Sequence, residues 1–301
     1  MLVDIFFALS GFVVYRSARH AVPAQGIWLF VKRRLLRIYL GYWPVLLLIA
    51  ITTVFAYHSS LPPLKKMVFS ALLLYPNIWD NWLLPAWSLT MEIYFYLWIA
   101  AIAMLPQRHQ LKAIIFGLAL LATWGAGWLV ANHSAVFAGQ QPLRYALTGL
   151  GIEFLAGALV AYLYEGRPQP FRRPYIAIAT CVGFMAAGIA LGMTSPYFDR
   201  VEVMRAGSFG VAGIAALVAA LALEQTRHTP PHWLVTLGDA SFSLYLLHTF
   251  LLDFSGKVRM ALGIASPEGL LVFLLALPIA IVMISRFWYS WVEKPIMKAA
   301  L

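Results

Sequence analysis

The chain has 301 residues, of which 62% are hydrophobic, 15% are aromatic and only 11% are charged. Because a soluble globular domain carries roughly 25% charged residues, this composition excludes a water-soluble protein and predicts a chain whose solvent is lipid. The net charge of +10 does not indicate nucleic-acid binding, since a polytopic membrane protein collects lysine and arginine in its cytoplasmic loops. The single cysteine, Cys181, allows no metal site built on cysteines, and no metal is expected.

Nine apolar runs are long enough to cross a bilayer, whose hydrocarbon core of about 30 Å needs roughly 20 helical residues. These runs are residues 1–17, 37–57, 87–105, 112–131, 145–164, 175–193, 206–223, 237–254 and 269–291. No soluble domain or long linker separates them. The sequence therefore predicts an all-α, polytopic transmembrane helical bundle that forms one membrane domain over residues 1–301.

A tenth apolar run, residues 67–75, is too short to cross unaided, and the charges support leaving it out. Without a crossing there, 15 of the 22 basic residues fall on one side, whereas a crossing would divide them equally. We therefore expect residues 67–85 to be re-entrant or to lie at the outer face. The cytoplasmic side then holds Arg16, Arg19, Lys32, Arg33, Arg34, Arg37, Arg108, Lys112, Arg167, Arg172, Arg173, Arg227, Arg286, Lys294 and Lys298, and the outer side holds Lys65, Lys66, Arg144, Arg200, Arg205, Lys257 and Arg259.

Nine crossings place the N-terminus outside and the C-terminus in the cytoplasm. Residues 1–6 carry no basic n-region and no small-residue cleavage site, so they do not predict a signal peptide. One further helix before Met1 would give ten crossings with both ends in the cytoplasm. We therefore expect the chain to be truncated at its N-terminus.

Glycines recur at helical spacing in two neighbouring predicted spans. Gly188 and Gly192 form a G-x-x-x-G pair, and Gly207, Gly210 and Gly213 follow at intervals of three residues. Such spacing is typical of close helix packing in membranes. A phosphate-binding loop is the less favoured alternative, since neither group follows a strand.

We single out four of the ionisable side chains within the predicted spans, where such a group costs from about 2.5 kcal/mol upward near the bilayer centre. Glu92 and His248 lie roughly 7.5 and 9 Å from the outer ends of their helices, Asp4 lies at the outer mouth of the first span, and Glu153 lies near mid-span. Because Asp4, Glu92 and His248 all fall in the outer half, we expect them to share a polar cavity. The alternative is structural pairing that holds helices in register.

A basic cluster precedes the second predicted span. Arg33 and Arg37 are four residues apart and Arg34 and Arg37 are three apart, so their guanidinium groups share one helix face. Planar donor forks suit phosphate, which favours binding of a nucleotide-bearing donor at the cytoplasmic mouth. Positive-inside orientation or binding of anionic lipid is the alternative.

Six short motifs, in this order, resemble the acyltransferase 3 family of membrane O-acyltransferases over essentially the whole chain. The motifs are residues 4–12 (DIFFALSGF), 33–38 (RRLLRI), 85–96 (PAWSLTMEIYFY), 153–157 (EFLAG), 243–248 (SLYLLH) and 293–295 (EKP). The resemblance implies a bacterial inner-membrane enzyme with ten helices. Such an enzyme moves an acyl group, usually acetyl, from cytoplasmic acyl-CoA to a hydroxyl of a cell-envelope or exported glycan.

The resemblance also implies roles for individual residues. Arg34 and Arg37 match the basic motif of the family and, with Arg33, are expected to hold the CoA phosphates, while Glu92 matches the family's buried acid. The family's first helix, which carries an Arg and the expected catalytic His, is absent, so His248 is the histidine left within a predicted span and stands with Glu92 as a catalytic candidate. We expect the substrate cavity to be lined by Asp4, Trp87, Ser88 and Glu153. No bound cofactor is expected, because acyl-CoA is the donor substrate.

Other functions would also produce many helices and a few buried charges. A transporter or flippase for a glycan or a lipid-linked glycan predicts two related halves with paired broken helices, and no internal repeat is visible. A structural scaffold would not need a buried acid and a histidine in the same half of the bilayer. An inactive, truncated paralogue of the acyltransferases is the remaining alternative.

Overall fold

The computed structural model describes residues 2–75, 80–131, 149–165, 171–194, 202–226 and 229–300, and in these ranges every regular element is helical. The α-helices are α1 (Leu2–Gln25), α2 (Ile27–Phe55), α3 (Leu64–Ala71), α4 (Ala86–Met104), α5 (Gln107–Ala131), α6 (Gly149–Tyr164), α7 (Pro174–Thr194), α8 (Glu202–Arg205), α9 (Val211–Glu224), α10 (His232–Asp239), α11 (Ser241–Ala261), α12 (Pro267–Trp288) and α13 (Lys294–Ala300). Two π-helical turns, π1 (Ala206–Gly210) and π2 (Tyr289–Glu293), join α8 to α9 and α12 to α13. The predicted all-α class is confirmed.

Helix boundaries fall where the sequence supplies a turn residue or a cap. Gly26, at φ +86°, separates α1 from α2, and Gly263, at φ +64°, follows the end of α11. α12 begins at Pro267, directly after Ser266, whose hydroxyl oxygen accepts a hydrogen bond from the Gly269 N–H at 3.1 Å.

Among the described residues, six helices are long and apolar enough to cross a membrane: Ile27–Phe55, Ala86–Met104, Gln107–Gly127, Pro174–Thr194, Ala206–Glu224 and Pro267–Ala300. The pair formed by α10 and α11, bent by 69°, would make a seventh span. These correspond to seven of the nine predicted spans. The other two are α1, which carries Asp4, Arg16 and Arg19, and α6, whose 16 residues are apolar but short. The chain is a polytopic helical membrane protein, and the count of nine stays a prediction.

The segment that was predicted not to cross contains α3, which at eight residues is about 12 Å long. Its C-terminal carbonyl groups, which a helix end leaves without partners, accept hydrogen bonds from aromatic side chains of α2. These bonds run from Tyr42 to Ser70 at 2.9 Å, from Trp43 to Ala71 at 3.0 Å and from Tyr39 to Leu72 at 3.0 Å. Irregular backbone at membrane depth needs such partners. A re-entrant or outer-face position for residues 67–85 stays a prediction, and residues 76–79 lie outside the described ranges.

Several other residues used in the sequence analysis also lie outside the described ranges. They are the first four residues of the predicted span 145–164 and four arginines of the charge count, Arg144, Arg167, Arg200 and Arg227.

The helices group into two compact units. The first unit comprises Met1–Lys32 and Met91–Thr229, and the second comprises Arg33–Thr90 and Pro230–Leu301, so the division passes through α2 and α4. One domain over the whole chain stays a prediction.

The core of the first unit is the contact between α1 and α6, where glycines let the two backbones meet. A Cβ added to Gly11 would lie 1.9 Å from the Phe154 carbonyl oxygen, and one added to Gly157 would lie 2.0 Å from that of Ala8. Beside this crossing the Phe95 ring lies 5.4 Å from Phe7 and 4.8 Å from Phe154. Small residues at a helix crossing allow the close van der Waals packing that drives association in lipid.

In the second unit, α2 packs against α11 through Gly41. A Cβ at Gly41 would lie 2.4 Å from the Phe242 ring. Near the other end of α11 the Tyr57 hydroxyl donates to Asp253 at 2.7 Å, and the Lys257 Nζ lies 3.6 Å from the centre of the Tyr57 ring. These contacts fix the chain that follows α2 against α11.

Candidate active site

In the second unit, Ser88 and Tyr245 form a partly buried pair of hydroxyls around one carbonyl oxygen. The Pro85 carbonyl accepts from Ser88 Oγ at 3.0 Å and from the Tyr245 hydroxyl at 3.1 Å, and the two hydroxyl oxygens are 2.6 Å apart. Ser88 is fully buried, and Trp87 beside it is half-buried. This group joins the first turn of α4 to α11.

One turn further along α11, the ring of His248 is oriented by the backbone of the same helix. Its Nδ1 lies 2.6 Å from the Tyr245 carbonyl oxygen. Because a carbonyl oxygen can only accept, Nδ1 carries the hydrogen, and in the neutral ring the lone pair is then on Nε2. Nε2 has no hydrogen-bond partner within the described part of the chain. The ring is half-buried. This arrangement suits a general base.

The predicted phosphate cluster lies on α2 in the same unit. Arg33 and Arg37 are exposed and Arg34 is half-buried. The Arg37 guanidinium makes no hydrogen bond to any described residue and is attracted electrostatically by Glu293. The Glu293 carboxylate is buried in π2 and accepts a hydrogen bond from Ser243 of α11. Arg37 is therefore an exposed donor fork that can bind an anion.

In the first unit, Glu92 is buried in α4, with 6% of its surface exposed. The Tyr96 hydroxyl, one turn later on the same helix, donates a hydrogen bond to Glu92 Oε1. A hydrogen bond to the carboxyl fixes its orientation on the helix.

Also in the first unit, Asp4 and Glu153 meet Arg205 in a second carboxyl cluster. Arg205 makes a bidentate pair with fully buried Asp4, from Nε to Oδ1 and from Nη2 to Oδ2, both at 2.7 Å. Glu153, only 1% exposed, interacts electrostatically with Asp4 and Arg205. Neither of its carboxyl oxygens accepts a hydrogen bond from a described donor. We refer to Asp4, Glu153 and Arg205 as the carboxyl cluster.

The structure therefore brings some of the predicted site residues together. Asp4 meets Glu153, and Ser88 is bonded to the tyrosine whose carbonyl orients His248. Within the described ranges, Trp87 makes no hydrogen bond or ring contact with another predicted site residue. The prediction that Asp4, Glu92 and His248 share one cavity stays a prediction.

Three residues of these groups were missed at the sequence level. Arg205 was counted only as a loop charge, although an isolated arginine directly before the apolar run 206–223 is a signal for a buried partner. Tyr245 lies within the motif SLYLLH at residues 243–248, in which a role was predicted only for His248. Tyr96 lies four residues after Glu92, which is the spacing at which side chains on a helix meet.

Known proteins resemble this chain over nearly all of its length. A family model described as an acyltransferase domain matches residues 1–285. The exopolysaccharide production protein ExoZ of Rhizobium meliloti (strain 1021) is 27% identical over 307 aligned residues, which cover 98% of this chain and 89% of that protein. No solved structure gives a significant match. The chain belongs to the acyltransferase 3 family, and this membership implies acyltransferase activity.

Proposed function

We propose that this protein is an inner-membrane O-acyltransferase that moves an acyl group, acetyl in the first instance, from cytoplasmic acyl-CoA to a hydroxyl of a cell-envelope or exported polysaccharide. The observation that carries the proposal is the family match over residues 1–285, because this range contains Asp4, the three arginines of α2, Glu92, Glu153 and His248. The acceptor class is supported by the name of the relative, which concerns exopolysaccharide production. We also propose that this chain crosses the membrane nine times and that α2 enters the membrane from the cytoplasm.

The donor would be held by its phosphates at the start of α2. Arg37 is exposed and makes no hydrogen bond to a described residue, and Arg33 and Arg34 lie within one turn of it. A guanidinium presents two parallel donors to a phosphate group. The pantetheine arm of CoA would then carry the thioester into the membrane.

His248 would act as the general base. The acceptor hydroxyl oxygen attacks the thioester carbonyl carbon, a C–O bond forms and the C–S bond breaks. The hydroxyl proton passes to Nε2 of His248 and finally to the departing CoA thiolate, so that one ester and one thiol leave. The Nδ1–H bond to the Tyr245 carbonyl supports this role, because it fixes the tautomer in which Nε2 accepts the proton.

Glu92 would contribute negative charge to the proton transfer and would not react with the acyl group directly. Charge stabilisation of this kind raises the rate of proton transfer. Its hydrogen bond from Tyr96 would keep the carboxyl in one orientation. Trp87 and Ser88 would lie beside the acceptor, since Ser88 is bonded to Tyr245 one turn before His248.

The test is transfer of label from radiolabelled acetyl-CoA to exopolysaccharide by the purified protein in vesicles. We expect His248→Gln and Glu92→Gln each to lower transfer by about 100-fold or more, which is the scale of general-base and charge stabilisation. His232→Gln and Glu268→Gln are matched controls, because both side chains are exposed, and they should transfer normally. All variants should insert into the membrane to the same extent.

Two results would count against this assignment. Normal transfer by Glu92→Gln removes Glu92 from the mechanism, and normal transfer by His248→Gln requires another base. If the wild-type protein transports a labelled glycan across the vesicle membrane without acylating it, the transporter alternative is correct.

A further inference from the structure

A buried carboxylate in the second unit has no role in the transfer step proposed above. Glu293 begins the motif at residues 293–295 and is the last residue of π2, a kind of turn that is common at functional sites. Only 8% of its surface is exposed. Ser243 of α11, 1% exposed, donates a hydrogen bond to Glu293 Oε2. This bond joins π2 to α11 and fixes the direction of the carboxylate.

The packing of α2 against α11 brings Arg37 near this carboxylate. Arg37 lies four residues before Gly41, so both are on one face of α2. That face contacts α11, because a Cβ on Gly41 would lie 2.4 Å from the ring of Phe242, which precedes Ser243. Glu293 and Arg37 attract each other electrostatically. The hydrogen bond from a hydroxyl and the nearby guanidinium both favour the charged form of the buried carboxyl, which makes Glu293 a fixed negative charge beside an exposed donor fork.

Such a charge restricts the orientation of the arginine. Arg37 is exposed and makes no hydrogen bond to a described residue, so its side chain has many rotamers, and fixing one of them costs entropy when a ligand binds. Salt screens a partly buried pair of charges less than an exposed pair. Attraction to Glu293 therefore favours the rotamers that hold the guanidinium beside π2. A guanidinium has five N–H donors, so one edge can face a carboxylate while the others bind phosphate.

We propose that Glu293, held by Ser243, is a positioning residue that orients Arg37 for a phosphate group of the acyl-CoA donor. The inference rests on the proposed function, in which Arg37 binds the CoA phosphates. Glu293 itself contacts neither the donor nor the acceptor. It reduces the entropy that Arg37 loses on binding, so its removal should weaken the binding of donors that carry phosphate and of no others.

Orientation and net charge predict opposite results for the variant Glu293→Gln. This variant removes a negative charge, and charge alone would strengthen the binding of an anionic donor. Asp239→Asn removes the same charge at an exposed position, and both acids act electrostatically on Tyr289, so it is the matched control for charge. We expect Asp239→Asn to leave the affinity for CoA unchanged or to raise it. Glu293→Gln should lower that affinity about three- to ten-fold, the scale of ordering one side chain on binding.

The first measurement is the Kd of radiolabelled CoA for the purified protein, by equilibrium dialysis in detergent. The second is the KM for two donors in the vesicle assay, acetyl-CoA and S-acetylpantetheine, which carries no phosphate. Glu293→Gln should raise the KM for acetyl-CoA by the same factor as the Kd and leave kcat and the KM for S-acetylpantetheine unchanged, whereas a general structural defect would affect both donors. Ser243→Ala should act in the same direction. In an Arg37→Ala background, Glu293→Gln should have no further effect.

Three results would overturn the inference: an unchanged or lower Kd for CoA in Glu293→Gln, an equal rise in KM for both donors, or a full effect in the Arg37→Ala background. Failure of the proposed function gives a different result, in which wild-type protein binds CoA and transfers no acetyl group from either donor. In that case the Kd values still decide whether Glu293 positions Arg37. Wild-type protein that does not bind CoA would reject both.

Discussion

Asp4→Asn should destabilise the protein far more than Glu153→Gln, although both changes replace a buried acid by its amide. Asp4 is fully buried and receives both hydrogen bonds of the Arg205 guanidinium at 2.7 Å. Removing this carboxylate leaves a largely buried cation without its counter-charge, which costs about 3 to 5 kcal/mol. Glu153 has no donor partner to lose, and an amide can donate to Asp4 as a protonated acid would, so we expect a change of about 1 kcal/mol or less.

The measurement is the midpoint of thermal unfolding of the purified protein in detergent, followed by loss of monodisperse protein. At about 2 to 4 °C per kcal/mol, Asp4→Asn should lower the midpoint by roughly 6 °C or more, and Glu153→Gln by no more than about 4 °C. The double variant Asp4→Asn with Arg205→Gln should recover part of the loss, because it removes the unpaired cation as well. Equal midpoints for the two single variants would refute the dominant role of the Asp4–Arg205 ion pair in the carboxyl cluster.

Three further changes test other parts of the structure. Gly157→Ala should lower the unfolding midpoint by several degrees, because the added Cβ would lie 2.0 Å from a carbonyl oxygen of α1. The control Gly127→Ala, whose Cβ would have no atom within 4 Å, should be neutral or stabilising by about 1 kcal/mol. Equal effects of the two variants would contradict the crossing of α1 and α6. Tyr15→Phe should cost about 1 to 3 kcal/mol in the same assay, because the tyrosine hydroxyl donates at 2.7 Å to the side chain of fully buried Gln110, and an unchanged midpoint would exclude that bond. Arg37→Ala should raise the KM for acetyl-CoA about ten-fold or more with a smaller effect on kcat. Arg37→Lys, which keeps the positive charge, should raise the KM less. An unchanged KM in Arg37→Ala would show that the CoA phosphates bind elsewhere.

Apolar runs and charge located most spans within a few residues. The predicted runs 175–193 and 206–223 correspond to Pro174–Thr194 and Ala206–Glu224, because lipid requires an uninterrupted apolar segment of that length. The runs 1–17 and 37–57 differ more, since α1 continues to Gln25 and α2 begins at Ile27. Hydropathy marks the part of a helix that meets hydrocarbon, and a helix continues into the interface where arginine and lysine side chains reach water.

The run 237–254 contains a bend that hydropathy alone does not predict. It was predicted as one span, and the structure has α10 and α11 with a bend of 69° at Ala240. No proline marks the break, and Gly238 lies two residues before it, so an apolar run alone did not predict the bend.

The glycine pattern was the most informative local signal for packing. A Cβ at Gly188, Gly192, Gly210 or Gly213 would approach an atom of another helix within 3.1 Å, as the spacing predicted. Gly207 is the exception, with nothing within 4 Å.

The carboxyl cluster was harder to predict for a geometric reason. The sequence identified Asp4 and Glu153 as costly in lipid, and it gave no means to pair them, because Asp4 and Arg205 are 201 residues apart. The His248 tautomer likewise depends on a backbone distance that only coordinates supply.

In the first unit, close helix packing at glycines brings the buried acids near Arg205. A Cβ on Gly210 would lie 2.9 Å from Glu153 Cγ, and one on Gly213 would lie 3.1 Å from the Asp4 backbone. The two glycines therefore let π1 and α9 approach α1 and α6 closely enough for Arg205, at the N-terminal side of π1, to pair with Asp4 and to interact electrostatically with Glu153. Helix association in lipid gains little from the hydrophobic effect and depends on such close packing, while a buried acid needs its counter-charge within hydrogen-bond distance. The small residues thus satisfy both requirements for Asp4.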